Sequence, residues 1–187
     1  MTRILGISGS LRRDSHNTSL LLAATEAGGP DVELELYDGL KEVPPYDEDD
    51  DVHPRPESVV RLNAAIARAD AVLSATPEYN TSIPGQLKNA VDWVSRPVAT
   101  NMLRNKPVAV VGASTGAFGA AWAQAELRKV LAALGARVLD FEFPVSHAHT
   151  RFEEGELTDE EIRAGLAAAV AALAEETRQR ERTKAVA

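Results

Sequence analysis

The sequence predicts an α/β domain built on a parallel sheet with helices on both faces. Three observations predict it. Five short apolar runs alternate with five segments of helical periodicity. Several of the runs are continuously apolar, as strands buried on both faces are. The most distinctive polar stretches, residues 9–17, 77–85 and 114–119, follow the first, third and fourth runs. Right-handed crossovers would bring all three to the carboxyl edge of the sheet, where such folds bind ligands.

Residues 3–8 read as the first strand, followed by a helix over 17–27 with Leu20, Leu21 and Ala24 on its apolar side. Gly28, Gly29 and Pro30 end that helix. Val32–Tyr37 alternates apolar and polar residues, the pattern of a half-exposed edge strand. Residues 38–56 form a long Pro-rich loop containing the acidic run Asp47–Asp51, read as a solvated loop and not a metal site. A helix over 57–69, a strand over 70–76 and a helix over 84–95 follow, with Pro84 suited to the helix start. Pro107–Ala113 is the fourth strand, residues 119–134 a long helix, and Arg137–Phe143 the last strand. Thr158 and Glu161 spell a capping box for the final helix, which buries Ile162, Leu166, Val170 and Leu173. From about Thr177 the charged tail is expected to fray. The 187 residues thus form a single domain.

Composition narrows the function. With 20 basic and 28 acidic residues the net charge is −8, which disfavours nucleic acid or an anionic membrane as the main partner. The absence of Cys removes disulfides, thiolate zinc and thiol nucleophiles. No signal peptide or membrane-length apolar stretch is visible, so a cytoplasmic protein is expected.

The first loop has the makings of a phosphate seat. Ser10, Ser15, Asn17 and Thr18 offer polar donors, Arg12 offers a forked cation, and the helix that follows adds free N–H groups. The stretch is neither G-x-G-x-x-G nor a P-loop, so a single terminal phosphate suits it better than a pyrophosphate or a triphosphate. A plain alternative is a polar loop that only caps the helix, with Asn17 as N-cap. In the second loop, Tyr79 offers a flat ring beside Pro77, Glu78 and Asn80; Asn80 reads equally well as a turn residue. In the third, Ser114, Thr115 and Gly116 supply small side chains and exposed N–H groups suited to a carbonyl or a developing anion. A phosphate, a flat ring and amide donors at its rim together describe flavin mononucleotide (FMN).

The same residues carry a resemblance. Gly9-Ser-Leu-Arg-Arg-Asp-Ser-His-Asn17 resembles the G-S-x-R-x-x-S-x-N signature of the NADPH-dependent FMN reductase family. Pro77 through Trp93 is similar to that family's second block, and Ser114 through Gly119 with Ala123-Gln124 to its third. The family includes bacterial chromate, quinone and azo-dye reductases of flavodoxin-like fold. The resemblance therefore implies a three-layer sandwich with strand order 2-1-3-4-5. It implies that Ser10, Arg12, Ser15, Asn17 and Thr18 bind the FMN phosphate, that Pro77, Glu78, Tyr79 and Asn80 line the ring, and that Ser114, Thr115 and Gly116 contact its pyrimidine side. NADPH or NADH is the implied donor, and a homodimer or homotetramer the implied assembly, with Tyr46 and the acidic loop reaching toward a neighbouring subunit's flavin. Trp122 stands where the family usually has Arg, and reads as helix packing.

The activity implied is an FMN-dependent NAD(P)H oxidoreductase. It would pass a hydride through FMN to a quinone, flavin, chromate or azo compound, with ping-pong kinetics and no catalytic side chain, because the cofactor carries the chemistry. Two alternatives stand beside it. Gly112-Ala-Ser-Thr-Gly116 fits G-x-S-x-G, with Asp140 and His147 in hydrolase order, which would make a small serine hydrolase. A flavodoxin-like electron carrier without turnover is the other.

Overall fold

A computed structural model describes residues 1–186; Ala187 lies outside the described residues. Strands β1 (Thr2–Ser8), β2 (Val32–Tyr37), β3 (Ala71–Ala75), β4 (Pro107–Ala113) and β5 (Arg137–Val138) form a parallel sheet in the order β2-β1-β3-β4-β5. The helices are α1 (His16–Ala27), α2 (Glu57–Arg68), α3 (Gly85–Val94), α4 (Ala121–Ala133) and α5 (Glu160–Val186). The fold class and strand order are those expected.

Strand side chains alternate between two cores. Leu5, Ile7, Val72, Val108 and Val110 pack with Leu62 of α2, Leu87 of α3 and Leu127 of α4. Ile4, Leu73, Ala75, Ala109 and Val111 pack with Leu21 of α1 and Leu166 of α5 on the other face. The long loop before α2 is fastened to α3. Gln86 Nε2 donates to the carbonyls of Leu40 and Val43 at 2.7 and 2.8 Å, and Trp93 Nε1 to that of Pro44 at 2.9 Å. Tyr46 turns back onto Trp93 of its own chain, ring centroids 5.0 Å apart, and is half-buried there.

The last strand differs from expectation. It is broken into β5 and a second pair of residues, β6 (Pro144–Val145), both running parallel to β4. Between them Phe141 and Phe143 turn into the second core, where the Phe143 ring fills the space left by the missing side chain of Gly165. Edge position allows the break, because only one side of the strand has a ladder to lose. A two-residue hairpin of β7 (Phe152–Glu153) and β8 (Glu156–Leu157) precedes α5.

Helix starts also differ. Gly119 and Ala120 are both left-handed (φ 57° and 62°), so α4 begins at Ala121 and not at 119. The cap of α1 is Ser15, whose Oγ accepts from Thr18 N at 3.3 Å, and not Asn17. The cap of α5 is Asp159, whose Oδ1 accepts from Glu161 N and Ile162 N; Thr158 instead donates its hydroxyl to the Arg151 carbonyl. The Ile162 N–H foremost, with Arg151 at 2.6 Å, holds the Asp159 carboxyl below the usual carboxylate range. Beyond Thr177, where fraying was expected, α5 continues to Val186. Thr177 itself is buried and bonds back to Leu173 O. Among the described residues no helix is long and apolar enough to cross a membrane.

Gly112 shows how tightly β4 is held. A Cβ there would lie 2.7 Å from the carbonyl oxygen of Thr76 and 2.8 Å from Gln124 Nε2. Backbone cannot yield as a flexible side chain does, so Gly112→Ala is expected to destabilise the fold by about 1–3 kcal/mol, the usual range for overpacking. Urea denaturation of the variant beside the parent protein measures this directly.

Candidate functional site

The three loops meet at the carboxyl edge of the sheet. The chain leaving β1 stays in register, Gly9 N donating to Ala75 O at 2.8 Å. A Cβ on Gly9 would lie 2.8 Å from Leu87 Cδ2 and 3.3 Å from Pro77 Cδ. Gly9 is therefore needed for close packing against the second loop. The loop after β3 turns back on itself: Tyr79 and Ser82 exchange both backbone hydrogen bonds, with Asn80 and Thr81 left-handed at φ 53° and 61°. That is a type I′ hairpin turn, which Asn tolerates better than most residues.

Between the loops lies an open cavity of about 290 Å³. The first loop lines it with Ser10, Arg12, Ser15, His16 and Asn17. The second contributes Pro77, Glu78 and Tyr79, and the third Ala113, Ser114 and Thr115. Nine of the twelve residues expected at the site thus share one cavity. Thr18, Asn80 and Gly116 do not line it. Thr18 donates its hydroxyl to Ser8 Oγ at 2.9 Å, Asn80 makes the turn, and the Gly116 N–H donates to Ser114 Oγ at 3.2 Å. His16 and Ala113 do line it and were not anticipated. His16 had a signal, a titratable ring within the polar first loop; Ala113 had none.

Several lining residues also hold the site together. Asn17 is buried, and its amide clasps the end of β4. Nδ2 donates to Ala113 O at 3.0 Å, and Ala113 N donates to Oδ1 at 2.9 Å. Glu78 Oε2 accepts from Ala123 N at 3.1 Å and so caps α4 from another loop. The first turn of α1 carries no acidic residue, and its His16 and Asn17 N–H groups have no partner among the described residues. Arg12 is exposed beside them. The Tyr79 side of the cavity is open, with that residue 52% exposed.

A fourth segment packs beside the first and third loops. The Ala148 N–H donates to Ser114 O at 3.0 Å and the His147 N–H to Gly116 O at 3.1 Å, seating a short 3-10 turn, Ala148–Thr150, beside the third loop. Phe152 of β7 stacks on the His16 ring, centroids 5.1 Å apart and planes 30° apart. Burial foremost, then the positive fields of Arg12 and His149, lowers the His16 pKa below its ordinary value.

The profile of the NADPH-dependent FMN reductase family matches residues 2–150. The chain belongs to that family. An NAD(P)H-dependent FMN reductase of Pseudomonas aeruginosa is 43% identical over 163 residues, which cover 86% of this chain and 87% of that protein. A 2-hydroxy-1,4-benzoquinone reductase of a Burkholderia species is 39% identical over 163 residues, covering 86% and 88%. Among solved structures, the flavoenzyme NAD(P)H:(acceptor) oxidoreductase FerB of Paracoccus denitrificans superposes with a TM-score of 0.83 at 36% identity, covering 96% of this chain and 98% of that one. The protein is an oxidoreductase of flavodoxin-like fold whose cofactors are FMN and a reduced nicotinamide nucleotide.

The hydrolase alternative loses its geometry in this reductase. Among the described residues no hydrogen bond links Ser114, His147 and Asp140; the Asp140 carboxylate is fully exposed and held by Arg128 at 2.6 Å. A triad needs its base oriented by the carboxylate, and here it is not. Trp122 is not core packing either. It is 47% exposed and lies against the exposed ring of Phe118, centroids 4.6 Å apart. The clasp of Asn17 is expected to matter for folding as well as binding. Asn17→Ala leaves two buried backbone groups of Ala113 unpaired and should cost about 2–6 kcal/mol, at the usual 1–3 per orphaned group. The urea midpoint of the cofactor-free variant measures it.

Proposed function

We propose that the cavity at the carboxyl edge seats FMN and that the protein is an NAD(P)H-dependent reductase of small acceptors. The observation that carries this reading is the convergence of Arg12, Tyr79 and Thr115 on one cavity from three separate loops. The donor set suits a phosphate monoester at one end: Ser10 and Ser15 hydroxyls, the Arg12 guanidinium, and the open N–H groups at the start of α1. Thr18, tied to Ser8, supports that seat from behind. Pro77, Glu78 and Tyr79 form a wall for a planar ring, with the Asn80 turn fixing its height.

At the far rim, the Thr115 N–H has no partner among the described residues and suits the negative charge of a reduced pyrimidine edge. Ser114 Oγ is engaged by Gly116 N and positions this loop. Bound there, FMN would supply two-electron chemistry, accepting hydride from NAD(P)H and returning the electrons to a quinone, flavin, chromate or azo compound in ping-pong order. The protein's own part is to hold both reactants face to face at the open Tyr79 side, which lowers the barrier by positioning. No side chain need exchange a proton. A cytoplasmic setting is part of this reading, and a homodimer or homotetramer is supported by the family resemblance together with the exposed Phe118–Trp122 pair.

The purified protein should be yellow and release FMN on denaturation. Double-reciprocal plots of donor against quinone should be parallel; intersecting lines would refute a shared site used in turn. Arg12→Ala should weaken FMN about ten- to a hundredfold, as loss of a charge-assisted hydrogen bond worth roughly 1.5–3 kcal/mol does, and leave riboflavin binding unchanged. Equilibrium titration of both flavins tests it.

A further inference from the structure

We propose that His16 is a proton-linked ligand of the cofactor phosphate: neutral in the empty site, it takes up a proton as a phosphate dianion enters. The inference rests on the FMN seat proposed above. His16 lines the cavity at the first residue of α1, directly after the Ser15 cap and beside Arg12. Its ring is fixed in orientation by the stack on Phe152. Neither ring nitrogen has a hydrogen-bond partner among the described residues, so both remain available to a ligand. A ring held in place, facing a cavity and carrying no internal partner is poorly explained as packing alone.

The surroundings set the direction of the proton. The charged or titratable groups that face His16 are Arg12 from its own loop and His149 from the turn over 148–150; β7 presents the uncharged Phe152 ring. His149 in turn lies near His147, centroids 6.3 Å apart. No carboxylate figures among the influences on His16. Burial and positive neighbours therefore keep the ring neutral at pH 7.5 while the site is empty. A phosphate monoester, with its second pKa near 6, is mostly dianionic at that pH and reverses the local field. The imidazole then gains the proton and becomes a second donor of a charge-assisted hydrogen bond beside Arg12. In a chain of net charge −8, a cation that forms only on demand does not burden the empty site with another positive charge.

The sign follows from linkage. A group whose pKa is higher in the complex takes up protons on binding, and affinity falls as pH rises between its two pKa values. Calorimetric titration of cofactor-free protein with FMN at pH 7.5, in buffers of different ionisation enthalpy, should show uptake of about half to one proton per FMN bound. FMN affinity should fall by up to about tenfold per pH unit above neutrality. Riboflavin, which lacks the phosphate, should bind without uptake, and in His16→Gln the uptake with FMN should vanish. In the unsubstituted protein, NMR of the histidine ring resonances should place the raised pKa on His16 when FMN is added, so the outcome does not depend on one variant folding. Uptake equal in His16→Gln and the parent protein, or equal with riboflavin, or a His16 ring that does not change its titration, would overturn the inference. FMN bound without proton uptake overturns this inference alone, whereas a protein that binds no FMN overturns the seat as well.

Discussion

The site depends on one reciprocal pair of hydrogen bonds. The Asn17 amide and the Ala113 peptide group, 96 residues apart, each donate to the other in a buried setting. Water cannot replace either partner there, so separating them would strand four polar atoms. This fastens the start of α1 to the end of β4 and thereby sets two walls of the cavity at a fixed spacing. Ser15, His16 and the open N–H groups of α1 are all carried by that same turn of helix.

Other polar residues at the edge of the sheet serve the neighbouring loop before they serve a ligand. Glu78 caps α4, Ser82 Oγ donates to Glu126 of α4 at 2.6 Å, and the turn over 148–150 is seated on Ser114. Each loop is thus ordered by the next. A cavity held this way loses little entropy when it is filled, because its donors are already in place. Among the described residues the side chains of Arg12, His16 and Tyr79 and the Thr115 N–H have no hydrogen-bond partner, and all four residues line the cavity.

The core beneath supports this arrangement asymmetrically. The face toward α2, α3 and α4 is filled by branched side chains such as Leu5, Ile7, Val108 and Val110. The face toward α1 and α5 carries Ala71, Ala75, Ala109 and Ala113. Small residues there let α1 approach β4 closely enough for Asn17 to reach Ala113. Packing and polar clasp are therefore one constraint seen on two scales.

The alternation of apolar runs and helical periods was enough to determine the parallel sheet, its helices and the three loops that open on one edge. Those features are local, and a strand buried on both faces or a helix with one apolar side announces itself in consecutive residues. The polar character of the loops also identified most of the residues that line the cavity. Their partners were decided only by tertiary structure. Nothing near Asn17 indicates Ala113, nothing near Glu78 indicates the start of α4, and Ser15 rather than Asn17 caps α1 because Asn17 is already occupied. The broken last strand has the same origin, since Phe141 and Phe143 leave the ladder for a core supplied largely by a helix that follows them. A hydrogen bond between distant residues depends on where the fold brings two atoms, and local periodicity carries no record of that distance.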